Sequence, residues 1–469
     1  MLAFAAISTS CWPAAFTIME LGARATGMGG AFVAVASDGS ALYYNPAGIA
    51  FQPGFRMEMD GLFVHGDFRF FPSATPPGTI VPKDGYSGFI SPSLLVVPNM
   101  YMSKSISPKL TLGFGAFTPF GLGGNWTNFK DSDPAATKFV ARWASTRPKM
   151  ESIWMQPTVA YRVTRNLALA AGVAYVHTHA LLEQSLLNPL DDGVVFGKQL
   201  APSFFPGSDV TASGKILARL LPEARFRFAG VSRNVGANVG MLYWKPEWKT
   251  RFGFDYRTAV VQHFDGQASF AFTTGYALQP IVGLDKLAAL FPNQKARVQF
   301  PTPATFAAGI ATEVFGSNLI SLDVQLQDYH RLKDVVLNFT QNKDVATPAE
   351  GRLVYNFHNA TEVRLGFEHP MRKFTFRAGW AWDQTPVPDE SVGPLWPDST
   401  RLNFDVGVSR QMGNKELSFF YQGSKFLDRT TSVAANDKIF TNGLYSTFAQ
   451  LFGFSLRIGK GSKGLEFTQ

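Results

Sequence analysis

The segment Asn234-Val235-Gly236-Ala237-Asn238-Val239-Gly240-Met241-Leu242-Tyr243 reads as a strand with two unlike faces. Its odd positions are all apolar, and its even positions through Gly240 are small or polar. Successive side chains on a strand point to opposite sides, so the segment carries one greasy wall and one wet wall. The pattern recurs between residues 249 and 264, where Phe252, Phe254, Tyr256 and Val260 oppose Lys249, Arg251, Asp255 and Arg257. Ile320, Leu322, Val324 and Leu326 likewise oppose Ser321, Asp323, Gln325 and Gln327. Near the end, Phe452, Phe454, Leu456 and Ile458 oppose Gly453, Ser455 and Arg457.

A soluble sandwich would bury such greasy walls in a core. Two features favour a closed membrane barrel. The polar walls carry Asp, Glu and Arg together, as an enclosed aqueous lumen requires. The connections also alternate in length. Short turns fall at 103–109, 164–166, 245–247, 315–317, 369–372 and 411–415, and long stretches at about 118–149, 181–233, 265–304, 329–360 and 384–400. Short turns at one rim and long loops at the other are the mark of an outer-membrane barrel. Six hairpins, a strand near 57–70 and another near 448–458 make about fourteen strands, an even number that places both ends at the periplasmic rim. The alternation at Gln267–Tyr276 is assigned to a hairpin within a loop.

Composition agrees. Of 469 residues, 46% are hydrophobic and only 17% charged, against about 25% charged in typical soluble domains. No apolar run approaches the ~18 residues of a membrane helix. Phe and Gly occur 43 times each, which suits strands and tight turns, and one cysteine, Cys11, excludes a disulfide scaffold. The net charge of +8 is scattered without a basic run, so it points to loops above an anionic lipid surface and not to nucleic acid. Residues 1–14 read as the remnant of a secretory signal, with no Lys or Arg before Arg24.

Residues 15–50 are dominated by small side chains, and include Arg24-Ala-Thr-Gly-Met-Gly-Gly-Ala31 and Asn45-Pro46-Ala47. Such a segment suits close packing against backbone, and a fourteen-strand barrel is wider than its own side chains can fill. A plug in the lumen satisfies both. Here the sequence resembles the FadL-type outer-membrane transporters of long-chain fatty acids and aromatic hydrocarbons. The two hatch motifs carry the resemblance, with Val97-Pro98-Asn99-Met100, Thr118-Pro119-Phe120-Gly121, Tyr256-Arg257-Thr258, Phe264-Asp265-Gly266, Leu332-Lys333, 377–388 and Pro397-Asp398 in order behind them. Two departures stand out: Leu326 occupies a position where the family has an aromatic, and residues 459–469 continue past the last strand.

The resemblance implies an all-β transmembrane barrel over 51–458 with a hatch at 15–50. It implies passive uptake through capture by extracellular loops, binding in a lumen pocket and release when the hatch rearranges. The exit it implies is lateral, beside a kinked third strand. Pro119 and Gly121 supply a reason for such a kink, since proline donates no ladder hydrogen bond and glycine permits a bulge. Asn45, Pro46 and Ala47 would form the hatch elbow, a single defined turn. Lumen parity nominates Phe117, Leu242, Phe420 and Leu451 as pocket residues, and extends to Arg331 and Lys333 for a carboxylate head group. Lys333 also stands where the resemblance implies a basic contact.

His177 and His179 share the outer face without a third ligand, so no metal is expected, and no cofactor. No Gly-x-Ser-x-Gly elbow or Ser/His pairing suggests an enzyme. The expected molecule is a monomer in the bacterial outer membrane, in contact with membrane lipid and lipopolysaccharide, whose ligand is a fatty acid or, in the second place, an aromatic hydrocarbon. A general porin and an outer-membrane lipase are the remaining alternatives.

Overall fold

The alternating segments become the staves of a closed barrel. The computed structural model describes residues 16–73, 88–89, 95–126, 139–186, 207, 224–272, 279–280, 283–339, 350–432 and 441–459. The expected signal remnant, and the tail beyond Gly459, lie outside the described residues.

Fourteen antiparallel strands follow in chain order. They are β1 (Phe55–Pro72), β2 (Leu95–Ser105), β3 (Leu110–Gly123), β4 (Arg147–Arg162), β5 (Leu167–Leu186), β6 (Ala224–Lys245), β7 (Thr250–Arg257, then Val260–Phe272) and β8 (Gln294–Thr302, then Thr305–Val314). Then come β9 (Asn318–Gln327, then Asp334–Phe339), β10 (Glu350–Val354, then Ala360–Met371), β11 (Phe374–Asp383), β12 (Arg401–Met412), β13 (Lys415–Phe426, then Arg429–Thr431) and β14 (Gly443–Gly459). Each strand pairs with its sequence neighbours, and β14 closes on β1 from Arg56↔Gly459 to Pro72↔Gly443. Closure satisfies the backbone groups that an open edge would strand in lipid.

The two walls separate as the period demands. On β6 Val235 is 68% exposed, facing lipid, while Asn238 is 1% exposed, facing inward. The buried interior is therefore the polar side, filled by the N-terminal segment. The six short turns fall where the sequence places them. At the other rim the strands run further than expected: β5 to Leu186, β6 from Ala224 and β7 to Phe272. The described part of the segment assigned to a loop hairpin, Gln267 to Phe272, belongs to the wall, with Gln267 paired to Ala229 on one side and Lys295 on the other, and the remainder of that segment lies outside the described residues. The physical reason is that this upper wall stands above the lipid. Outward positions there hold Arg225, Arg227, Asp265 and Arg297 while Phe226, Phe228, Phe264 and Val298 turn inward, so the apolar half of the alternation changes face while pairing continues.

Two irregularities matter for function. Strands β7–β10 all break at one level, at 258–259, 303–304, 328–333 and 355–359. Elsewhere, β2 and β3 pair only from Met100↔Ala116 to Ser105↔Thr111. Beyond that, among the described residues, Leu95–Asn99 pair with β1 alone and the rest of β3 pairs with β4. On β3 the register shifts between Phe117↔Trp154 and Phe120↔Ser152, so Thr118 and Pro119 together face Ile153. An extra residue of this kind bends the strand and ends regular pairing.

Candidate functional site

The hatch occupies the lumen and is buried almost throughout from Phe16 to Phe51. It is built from two single-turn helices, α1 (Ala23–Thr26) and α2 (Ala41–Tyr44), and a 3-10 helix, Pro46–Phe51. Small residues let its backbone touch the wall. A Cβ placed on Gly379 of β11 would lie 1.9 Å from the Gly29 nitrogen, so only glycine fits there. Gly29 itself has φ of 66°, a left-handed conformation that glycine adopts at little cost.

Asn45 is fully buried, and its side chain acts in three directions. The amide nitrogen donates to Val33 O at 2.8 Å within the hatch and to Met241 O on β6 at 2.9 Å. The amide oxygen accepts from Ala47 N at 3.2 Å, capping the 3-10 helix that Pro46 begins. A Cβ on Gly240 would stand 2.4 Å from that oxygen and 2.7 Å from Pro46 Cδ. The elbow is thus pressed directly onto β6.

Charged and polar lumen residues hold further parts of the hatch backbone. Asp323 Oδ2 accepts from Val33 N at 2.7 Å, Glu58 Oε2 from Gly39 N at 2.8 Å, and Ser455 Oγ from Ala23 N at 2.7 Å. Arg257 donates to Tyr43 O at 2.9 Å, with its guanidinium 4.6 Å from the Tyr43 ring and 5.6 Å from that of Phe117. Arg24 donates twice to Glu368 and once to Ser37 Oγ at 2.6 Å. Burial works against the Arg24 charge, but Glu368 together with Asp38 and Glu416 outweighs it and holds the guanidinium pKa above its ordinary value. These contacts reach the hatch from strands on every side of the barrel.

At its N-terminal end the hatch lies along the unpaired part of β3. Ile18 N donates to Pro119 O at 2.8 Å, and Gly121 N donates to Phe16 O at 2.9 Å. Thr118 N, which has lost its partner strand, donates to the Asn99 side chain at 3.2 Å. Pro119 and Gly121 are therefore the two residues whose backbones receive the hatch.

Phe16 then enters an aromatic cluster on the loop side. Its ring centroid lies 5.1 Å from Phe300, 5.4 Å from Tyr329, 5.7 Å from Phe120 and 5.8 Å from Trp396, and Phe357 packs 5.5 Å from Trp396. Lumen parity alone misses this cluster, because most of its rings sit in the strand breaks and in the segment after β11. Its only signal is the density of Tyr329, Tyr355, Phe357 and Trp396 in stretches that otherwise read as loops.

The four pocket residues nominated by parity are all buried, but they do not converge. Phe117 packs on Tyr43 at 5.5 Å, and Leu242 lies on β6 beside the Asn45 elbow. Phe420 and Leu451 are on adjacent strands, two residue pairs apart in register, across from Gly453 and Gln422. The extension of lumen parity to Arg331 and Lys333 fails. A 3-10 turn at Tyr329–Arg331 resets the alternation, so Tyr329 and Leu332 are buried while Arg331 and Lys333 are exposed. They stand at the break in β9, below its paired continuation Asp334–Phe339, where Arg331 Nε is engaged with Asp328 at 2.7 Å. His177 and His179 lie on the outward face of β5 above the lipid band.

The fourteen-strand barrel has known counterparts. The chain superposes on a Pseudomonas aeruginosa FadL homologue with a TM-score of 0.76, covering 94% of this chain and 99% of that one at 17% identity. The Pseudomonas putida toluene transporter TodX superposes with a TM-score of 0.66 over 94% and 99% of the two chains at 16% identity. In sequence, the long-chain fatty acid transport protein of Escherichia coli K12 is 24% identical, covering 89% of this chain and 88% of that protein. The model of the family described as outer membrane protein transport protein (OMPP1/FadL/TodX) matches residues 4–452. The protein is thus an outer-membrane transport protein and not an enzyme, and it belongs to the OMPP1/FadL/TodX family.

Proposed function

We propose that this family member takes up long-chain fatty acids. The ligand is captured at the loop-side mouth, bound in the lumen and released sideways between β2 and β3. The observation that carries the reading is the separation of β2 from β3 beyond Met100↔Ala116, covered from within by Phe16–Ile18. A ligand leaving there reaches lipid without crossing the polar hatch anchors. Displacing the hatch N-terminus at once frees the aromatic cluster and uncovers the opening. Asn45, Pro46 and Ala47 act as the fixed elbow about which that end moves, and the bulge at Pro119 with Gly121 keeps the opening from zipping shut. Phe117, Leu242, Phe420 and Leu451 supply apolar surface along the path inside the lumen.

Lys333 favours a carboxylate over a neutral ligand. Arg331 is already engaged with Asp328, so of the two Lys333 is the one left for a ligand, and a charge-assisted hydrogen bond to a fatty-acid head group stabilises its capture. Aromatic-hydrocarbon uptake is the second reading, supported by the ring cluster around Phe16. The test is uptake of labelled oleate and labelled toluene in cells lacking their own transporter. The comparison is with a variant in which deletion of Thr118 removes the extra residue of the bulge. Oleate uptake that disappears in the inserted deletion variant supports lateral release of a fatty acid. Toluene uptake alone moves the protein to the hydrocarbon branch, and unchanged oleate uptake in the deletion variant sinks the lateral route.

A further inference from the structure

Between Phe16 and Phe51 the hatch carries Arg24 and two carboxylates, Glu20 and Asp38. Arg24 is matched by Glu368, but Glu20, just ahead of α1, makes no ion pair among the described residues. Its Oε1 accepts from Gln422 Nε2 on β13 at 3.0 Å and its Oε2 from Met19 N at 3.0 Å, both neutral donors. Glu20 borders a small cavity between hatch and wall, with space for a single water-sized occupant. The far side of that cavity is lined by Asp405 of β12, Asp383 of β11 and Arg364 of β10. Glu20 is 5% exposed and Asp405 3%, so both carboxylates are taken out of bulk water.

The charges around this cavity do not cancel. Asp383 Oδ2 is paired with Arg401 Nε at 2.8 Å, and Arg364 is paired with Glu362. Both nearby guanidinium groups are thereby engaged, and Glu20 and Asp405 are left over. Neither oxygen of Asp405 has a hydrogen-bond partner among the described residues. Gln422 stands directly opposite Asp405 in register, yet gives its amide nitrogen to Glu20. Burying a carboxylate without compensation is strongly unfavourable. A water molecule would fill the space without supplying the missing charge. A proton shared by the two carboxylates would need them in contact, and no hydrogen bond joins them.

We propose that this cavity binds a monovalent alkali cation, sodium by its near-water size, between Glu20 of the hatch and Asp405 of the wall. Carboxylate oxygens are the ligands that hard cations take. A divalent ion of similar size, such as calcium, takes about six to eight oxygens. Among the described residues no three acidic, histidine or cysteine side chains converge to hold such an ion, and Arg364 on the cavity wall disfavours a second positive charge. The bound cation is then a further tie between hatch and barrel, on the β12 side of α1, whichever nutrient the channel carries. Its ligands come from separate segments of the chain, so no spacing in the sequence announces it.

The test uses the purified full-length barrel in detergent, in sodium chloride or in N-methylglucamine chloride at equal ionic strength. The protein is expected to broaden the sodium NMR line. Sodium should slow proteolytic cleavage of the hatch several-fold, because a ligand bound only by the seated state stabilises that state. Asp405→Asn should abolish both the broadening and the sodium dependence of cleavage. Glu313→Gln, which removes a lumen carboxylate paired with Arg251, should keep both. Glu20→Gln gives the same reading from the hatch side if the wall variant fails to form a barrel, as judged by its heat-modifiable electrophoretic shift. The proposal is overturned if the parent is cleaved equally fast in the two salts, or if Asp405→Asn retains the sodium response. It is also overturned if calcium at far lower concentration replaces sodium, or if cleavage follows pH alone and ignores the cation.

Discussion

The guanidinium of Arg24 and the carboxylate of Glu368 meet in a two-pronged ion pair, Nε to Oε2 at 2.8 Å and Nη2 to Oε1 at 2.7 Å, that ties α1 of the hatch to β10. Glu368 also accepts from Arg377 Nε at 2.7 Å, so loss of Arg24 leaves the carboxylate one guanidinium partner in place of two and removes its tie to the hatch. Breaking a buried pair of this kind costs about 3–5 kcal/mol. Arg24→Ala should therefore loosen the hatch while the barrel persists, and raise ion conductance through single channels in planar bilayers. Conductance equal to that of the parent would show that the pair does not hold the plug.

The Asn45 side chain satisfies Val33 O, Met241 O and Ala47 N from one buried position. Asn45→Ala strands these groups, at roughly 1–3 kcal/mol for each one left without a partner. Oleate uptake should fall several-fold at equal surface expression. Limited proteolysis should cut the hatch faster than in the parent, while the barrel fragment stays intact.

Gly379 faces the Gly29 backbone at a distance no side chain can share. Gly379→Ala should give a barrel that inserts normally with a displaced hatch. The expected pairing is an unchanged heat-modifiable electrophoretic shift together with increased conductance; a fully closed channel would count against the packing argument.

At the break in β9, Lys333→Ala should weaken oleate binding several-fold, the scale of one charge-assisted hydrogen bond at an exposed site. Arg331→Ala should have a smaller effect, because that guanidinium is already held by Asp328. Toluene uptake should respond to neither. Titration of each variant with fluorescent fatty acid reads the difference directly.

Much of the architecture was legible because lipid enforces a strict rule. Wherever the wall faces hydrocarbon, outward residues such as Val235 and Phe454 must be apolar while inward neighbours such as Asn238 and Ser455 need not be. The alternation counts the strands, and the short turns give their order. The rule lapses above the membrane, where Arg225 or Arg297 can face outward on a paired strand, so the upper wall reads as loop. It lapses again at Asp328–Lys333, where a single 3-10 turn exchanges the faces and moves Arg331 and Lys333 out of the lumen. The hatch was recognisable from its small residues, but the seating of Phe16 among Phe300, Tyr329 and Trp396 was not. That contact joins positions hundreds of residues apart and depends on where the strands break.

The breaks at 258–259, 303–304, 328–333 and 355–359 share one level on four neighbouring strands. Below them, register is locked by the demand that every outward residue suit hydrocarbon; within them, backbone groups bond across short local contacts, such as Tyr355 N to Lys333 O at 2.7 Å, and above them pairing resumes without that demand. The wall is thereby divided into a foundation and an upper storey with separate constraints. Over evolutionary time, insertions and substitutions in the upper storey can accumulate without being transmitted as slips of register into the foundation. A lineage moving from one greasy nutrient to another can remodel the entrance and leave the membrane-embedded frame as inherited.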